Sequence, residues 1–180
     1  MSVAEKREEI SRLIRLLVSE VGRLAEFEVY DIVLGRRHPP ASKALIERYE
    51  SYLELKLPPY YRAFLELHNG FDGLAFPGKD LLSVESVMPG GTRYADMCEW
   101  KKTTTEFGGG EVLDAIVIAD SEEPNNWDYL DPNRISEGGE FTVVRWTPYE
   151  NLRFANFRDY LEDWCLSSSR EAYEEIRQQR

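Results

Sequence analysis

The run from Leu57 to Phe71 reads Leu-Pro-Pro-Tyr-Tyr-Arg-Ala-Phe-Leu-Glu-Leu-His-Asn-Gly-Phe, and it leaves the chain few options. Pro58 and Pro59 suit a first helical turn, where no amide hydrogen bond is lost, and Asn69 with Gly70 offers the left-handed backbone that ends a helix. Between these signals Tyr60, Tyr61, Phe64, Leu65 and Leu67 cover more than one narrow stripe. A helix so short and so apolar is stable only when most of it is enclosed. The segment therefore predicts a docked core helix that organises a fold and leaves little room for catalysis.

Other helices can be read on both sides of it. Ile10, Leu13, Ile14, Leu17, Val21 and Leu24 recur at three- and four-residue steps and predict a long amphipathic helix over 5–24. The stretch 27–34 suits a short strand or an extended link, and the loop Gly35-Arg36-Arg37-His38-Pro39-Pro40 comes after it. Ser42 is placed to cap a second helix that uses Leu45, Ile46, Tyr49, Tyr52 and Leu53. One helical turn is expected at 84–88, and a further helix over 92–107 is stopped by Gly108-Gly109-Gly110. Strands are expected at 74–76 and 80–82 around Pro77-Gly78, then at 115–119, 127–130, 141–146 and 152–155. A closing helix over 157–166 is followed by Ser167-Ser168-Ser169, which reads as a break before a charged tail.

Several of these segments match a known family in order and spacing. The string Leu57-Pro58, Tyr61, Phe64, Leu65, Asn69-Gly70 resembles the SUKH superfamily, which includes fungal cell-wall-assembly (glucan synthesis) regulators and many bacterial antitoxin-like immunity proteins. Ala115 to Asp120 and Trp127 to Asp131 are similar to its two central strands, and Phe157 to Trp164 to its closing helix. The turn between those strands usually contains glycine in the family, whereas this chain has Ser121-Glu122-Glu123-Pro124-Asn125-Asn126. The likeness runs from about Ser42 to Leu166. It implies an α+β fold with a twisted, mostly antiparallel sheet packed by helices, and a role in binding proteins.

The expected organisation is one domain over 1–180, divided into an N-terminal helix and linker (1–41), a SUKH-like core (42–166) and a charged C-terminal tail (167–180). At 180 residues a single domain buries roughly 70% of its unfolded surface and needs no covalent staple. Cys98 and Cys165 are too few and too far apart for a disulfide framework, and with His38 and His68 they show no metal-ligand spacing. No apolar run approaches the roughly 20 residues that span a bilayer. The charged start, Met1 to Glu9, lacks the apolar stretch of a secretory signal, so a cytoplasmic location with no membrane association is expected.

The net charge of -11 is concentrated in one window. Residues 106–140 carry ten carboxylates against Arg134 alone, which accounts for -9. Such a field repels nucleic acid and attracts basic protein surfaces. On the expected strand, Trp127, Tyr129 and Asp131 share one face while Asp128 and Leu130 share the other. Large rings beside a carboxylate serve equally as interface anchors or as core residues under a helix. The candidate partner-binding residues are Asp120, Glu122, Glu123, Trp127, Asp128, Tyr129, Asp131, Glu137 and Glu140.

Catalytic signals are sparse. The glycine triplet is followed by no Lys-Ser or Lys-Thr and is flanked by Glu106 and Glu111, the wrong charge for a phosphate loop. No Gly-x-Ser-x-Gly turn is present. His68 is expected to meet the dipole at the end of its helix as an imidazolium, and His38 to be an exposed loop residue. Pairs such as Asp120 with Glu122 or Asp128 with Asp131 could stage acid-base chemistry on a sugar, but close pairs are inevitable among 33 acids. The expectation is therefore a non-catalytic protein without metal or cofactor. By the resemblance, it would be an immunity protein that neutralises a basic toxin domain, such as a nuclease, through an acidic surface. An intracellular regulatory or scaffold module ranks second, and a carbohydrate- or phosphoester-acting hydrolase third.

Overall fold

The computed structural model describes residues 1–26, 35–75, 79–120, 126–147 and 151–178. Its helices and strands give an α+β fold around an open six-stranded antiparallel sheet. The strands are β1 (Phe71–Ala75), β2 (Lys79–Leu81), β3 (Ile116–Asp120), β4 (Trp127–Ile135), β5 (Phe141–Trp146) and β6 (Asn151–Phe154). They lie side by side in chain order, so the sheet is a simple meander. β4 continues past the expected Leu130 because Asp131 pairs with Thr142 and Ile135 with Phe141. The possible strand at 27–34 and the Pro77-Gly78 turn lie outside the described residues, as does all but the end of the turn between β3 and β4.

The register decides which chemistry meets on each face. Trp127 pairs with Trp146, Asp128 with Arg145, Tyr129 with Val144 and Leu130 with Val143. Directly opposed residues share a face, and successive residues alternate. One face therefore carries Trp127, Tyr129 and Trp146, covered by Trp100 of α5 (Tyr94–Glu106), whose ring centroid lies 5.6–5.9 Å from all three. The other carries Asp128, Leu130, Val143, Arg145 and Phe154 and faces the helices from the two ends of the chain.

Those helices are α1 (Val3–Ala25) and the short α6 (Phe157–Asp159) with its helical continuation, and α3 (Pro59–Leu67) packs against both. Ser2 and Glu5 close a reciprocal capping box at the start of α1, and Ile10, Leu13, Ile14 and Leu17 behind it are sealed in the core. The expected core helix is α3. Its Tyr61 and Phe64 pack against Phe157 at ring distances of 5.2 and 5.3 Å, so the proline-started helix docks on the closing one. Gly70 ends it at φ +100°, and a Cβ there would stand 2.8 Å from the Leu81 carbonyl oxygen. α2 (Lys43–Leu53) starts at the Ser42 cap as expected. Its Tyr52, however, is 43% exposed instead of joining the core. The helical turn expected at 84–88 is α4 (Val84–Val87).

The end of the chain departs from expectation. The serine run does not break the helix: α6 passes through a π-helical stretch, Tyr160–Leu166, directly into α7 (Ser167–Gln178). Ser167 and Ser169 donate their hydroxyls to the carbonyls of Glu162 and Cys165, at 3.1 and 2.7 Å, which satisfies them inside a helix. Ala172 and Ile176 then pack with Val21 and Leu24 of α1, while Arg23 lies 3.7 Å from the centre of the Tyr173 ring. The expected tail is thus an amphipathic helix whose apolar residues complete the far end of α1. Among the described residues no helix is long and apolar enough to cross a membrane.

The two histidines also differ from expectation. His38 is half-buried, with Nε2 2.7 Å from Asp72 Oδ1. His68 caps α3 with extended backbone, and burial, reinforced by nearby Arg37, pushes its imidazole below the ordinary value. Both influences favour the neutral ring over the expected imidazolium. Because the unfolded chain takes up this proton near pH 6.5 and the folded one resists it, stability falls as pH drops below that value. Thermal melts at pH 7.5 and 5.5 should show this loss, and His68→Gln should reduce it; an unchanged difference in the variant would assign the loss elsewhere.

Candidate protein-binding surface

The structure separates the nine expected contact residues into three groups. Glu122 and Glu123 lie outside the described residues, and Glu137 is exposed. The other six are buried, which corrects the reading of an open carboxylate surface. Each buried acid has found a cation. Asp128 and Lys79, both 0% exposed, pair at 2.5 Å, and the Tyr160 hydroxyl donates to the second Asp128 oxygen at 2.7 Å. Asp120 meets Arg93 Nε at 2.9 Å, and Asp131 meets Arg134 Nε at 3.1 Å while accepting the Asn133 amide. Glu140 takes Lys6 Nζ at 2.6 Å and caps the backbone N–H of Tyr60. Lys6, Lys79 and Arg93 all come from outside the acidic window, so a count along the chain overstates the field that window projects.

Burial acts on the central pair in opposite directions. It lowers the Lys79 ammonium and raises the Asp128 carboxyl, and their mutual attraction resists both shifts. Arg145, opposite Asp128 in the register, lays its guanidinium 4.2 Å from the centre of the Trp164 ring and adds to the positive potential at Asp128. The rings of the expected site are equally internal. Trp127 is 5% and Tyr129 1% exposed, both under Trp100. Of the two readings left open for these aromatics, the core reading holds.

The window does keep a free surface, and it has a different composition. Phe107, at the end of α5, is 87% exposed, Leu113 is 56% and Ile135, at the end of β4, is 59%. The Asn133 side-chain amide donates to Asp114 at 3.3 Å, which ties the segment after α5 to that end of the sheet, and Lys101 Nζ donates to the Leu113 carbonyl at 3.1 Å, which ties it back to α5. Glu106, Glu111, Asp114 and Glu137 are exposed in the same stretches of chain, with Arg134 as the window's one base and Arg153 reaching Glu111 at 3.5 Å. Exposed apolar side chains beside carboxylates suit protein contact. The sequence signal for Phe107 was available: a large aromatic directly before a glycine triplet has no turn of helix to pack against.

A concavity of about 590 Å³ opens between α2 and the turn from α4 to α5, with Arg48, Tyr52, Glu85, Met88 and Thr92 among its walls. Cys98 is exposed and Cys165 buried, and they are not joined. Among the described residues no cluster of His, Cys, Asp and Glu side chains is arranged to hold a metal ion.

No curated protein matches this chain. The sequence model of one family, described as SMI1 / KNR4 family (SUKH-1), matches residues 40–163. The matched region begins just before α2, contains the whole sheet and ends inside the π-helical stretch, leaving α1 and α7 as flanking helices. The chain belongs to the SMI1/KNR4 (SUKH-1) family, within the SUKH superfamily.

Proposed function

We propose that this protein is a non-catalytic binding protein that neutralises a basic toxin domain by stoichiometric association. The observation that carries the reading is the fate of the acids. Asp128, which paired with Asp131 would be a candidate for acid-base work, is sealed against Lys79 and Tyr160, and Asp120 and Asp131 are held by arginines. Carboxylates committed in this way serve the fold. The same window offers to solvent Phe107, Leu113 and Ile135 as well as Glu106, Glu111, Asp114 and Glu137, the apolar and charged groups that a protein contact would use. Membership of a family of protein-interaction modules supports the same class of role.

Co-expression with candidate toxin domains, scored by survival and copurification, tests the reading. For a toxin captured in this way, Phe107→Ala should weaken binding by about tenfold or more, as loss of a central aromatic anchor does. The association rate should fall with added salt, because surface carboxylates steer a cationic partner only within a Debye length. An undiminished affinity in the variant, or a rate flat in salt, would remove this surface from the account. Turnover in a broad substrate screen would overturn the non-catalytic reading itself.

A further inference from the structure

The concavity between α2 and the α4–α5 turn is more constrained than an incidental surface dip. Its far wall is the turn Met88-Pro89-Gly90-Gly91-Thr92, which presses back onto α4. A Cβ on Gly91 would fall 2.1 Å from the Glu85 carbonyl oxygen and 2.4 Å from that of Ser86, so only glycine allows this approach. Gly90 sits at φ +86°. Backbone bonds from Gly91 N–H to the Met88 carbonyl (2.8 Å) and from Arg93 N–H to the Ser86 carbonyl (2.9 Å) close the turn.

The polar groups of the concavity are also held in place. Asn69, buried beneath it, accepts the Val84 N–H at 3.0 Å and donates its side-chain amide to Glu85 Oε2 at 2.5 Å. An exposed carboxylate is thereby fixed by a buried amide, which lowers the entropy cost of using it in a contact. Facing it from α2 are the half-exposed ring of Tyr52 and, one helical turn earlier, Arg48. Among the described residues Arg48 is exposed and makes no ion pair. Met88 and Pro89 supply the apolar lining.

We propose that this cleft takes an extended, arginine- or lysine-bearing segment of a partner protein. The cationic head pairs with Glu85 and lies against the Tyr52 ring, the aliphatic stem covers Met88 and Pro89, and the main-chain carbonyls of the segment accept from Arg48. A carboxylate fixed beside an aromatic face selects a cation, and the unpaired guanidinium selects the peptide carbonyls that accompany it. The inference rests on the reading of the protein as a binder of basic partners and gives that partner a second, peptide-like point of contact.

The test is an NMR titration of the full chain, labelled with nitrogen-15, using acetyl-Ala-Arg-Ala-amide as the probe and acetyl-Ala-Glu-Ala-amide as the control. Saturable shifts are expected for the arginine peptide at Tyr52 and across Ser83 to Thr92. They should weaken by about fivefold or more in Glu85→Gln, with the rest of the spectrum unchanged. Arg48→Ala should weaken binding in the same way. Equal shifts with the glutamate peptide, an undiminished affinity in Glu85→Gln, or no saturable shift at these residues would overturn the proposal. Shifts confined to Phe107, Leu113 and Ile135 would overturn the cleft while leaving the basic-partner reading standing. Cleft binding by a protein that captures no toxin would do the reverse.

Discussion

Asp128→Asn is expected to destabilise the protein by about 3–5 kcal/mol, because it strands the Lys79 ammonium, 0% exposed, without its counter-charge. The change is nearly isosteric, so packing contributes little to the loss. The asparagine oxygen can still accept the Tyr160 hydroxyl, whose present distance to Asp128 is 2.7 Å. The double variant Lys79→Met, Asp128→Asn removes both charges and should recover most of the stability, since a buried pair gains little over neutral groups of similar volume. Urea unfolding of the wild type, both singles and the double gives the coupling directly, provided the denaturant slope stays constant. A loss below about 1 kcal/mol in Asp128→Asn, within the range of an exposed pair, would contradict the burial of this pair. A large loss shows instead that an acid of the most negative window in the chain works as an internal fastener between β2, β4 and the π-helical stretch.

That pair also shows why the acidic window misleads as a sequence signal. Asp128 is 49 residues from Lys79, and Glu140 is 134 residues from Lys6. Charge along a sequence adds locally, while compensation in a fold is long-range, so a window can hold one sign of charge and still expose little of it. The punctuation of α3 is legible for the opposite reason: proline at its start and glycine at its end act through the backbone within a few residues. β3 and β5 are legible from their apolar, β-branched runs and β4 from its large apolar residues, and the spacing of the last three strands allows the meander they form. The alternation that buries Trp127 and Asp128 on opposite faces is also legible. The groups that cover each face are not, since Trp100, Tyr160 and Lys79 reach those faces from distant elements. α7 is hidden by composition. Ser167 to Ser169 looks like a break, yet hydroxyls that bond back to carbonyls four and five residues earlier are compatible with a helix, and Ala172 and Ile176 already carry the four-residue step.

Trp127→Ala is the second large effect expected, at about 3–5 kcal/mol, the cost of emptying a large aromatic site in a core that relaxes only in part. Trp127 is 5% exposed and its ring lies 5.7 Å from that of Trp100, which in turn lies 5.6 Å from Trp146. These rings hold α5 against the sheet, so Trp100→Ala should cost a similar amount. Because the two truncations open one shared cavity, the double variant should lose less than the sum of the singles, by about 0.5–3 kcal/mol. Urea unfolding followed by circular dichroism measures all three without depending on the fluorescence that the substitutions remove. If Trp127 were instead an interface anchor, its truncation would leave the unfolding midpoint unchanged and reduce only partner binding. The distinction matters for locating the partner. Once Trp127 is assigned to the core, the exposed aromatics among the described residues are Phe107 at the C-terminal end of α5 and Tyr52 of α2 beside the cleft, the two places where the proposed contacts are to be sought.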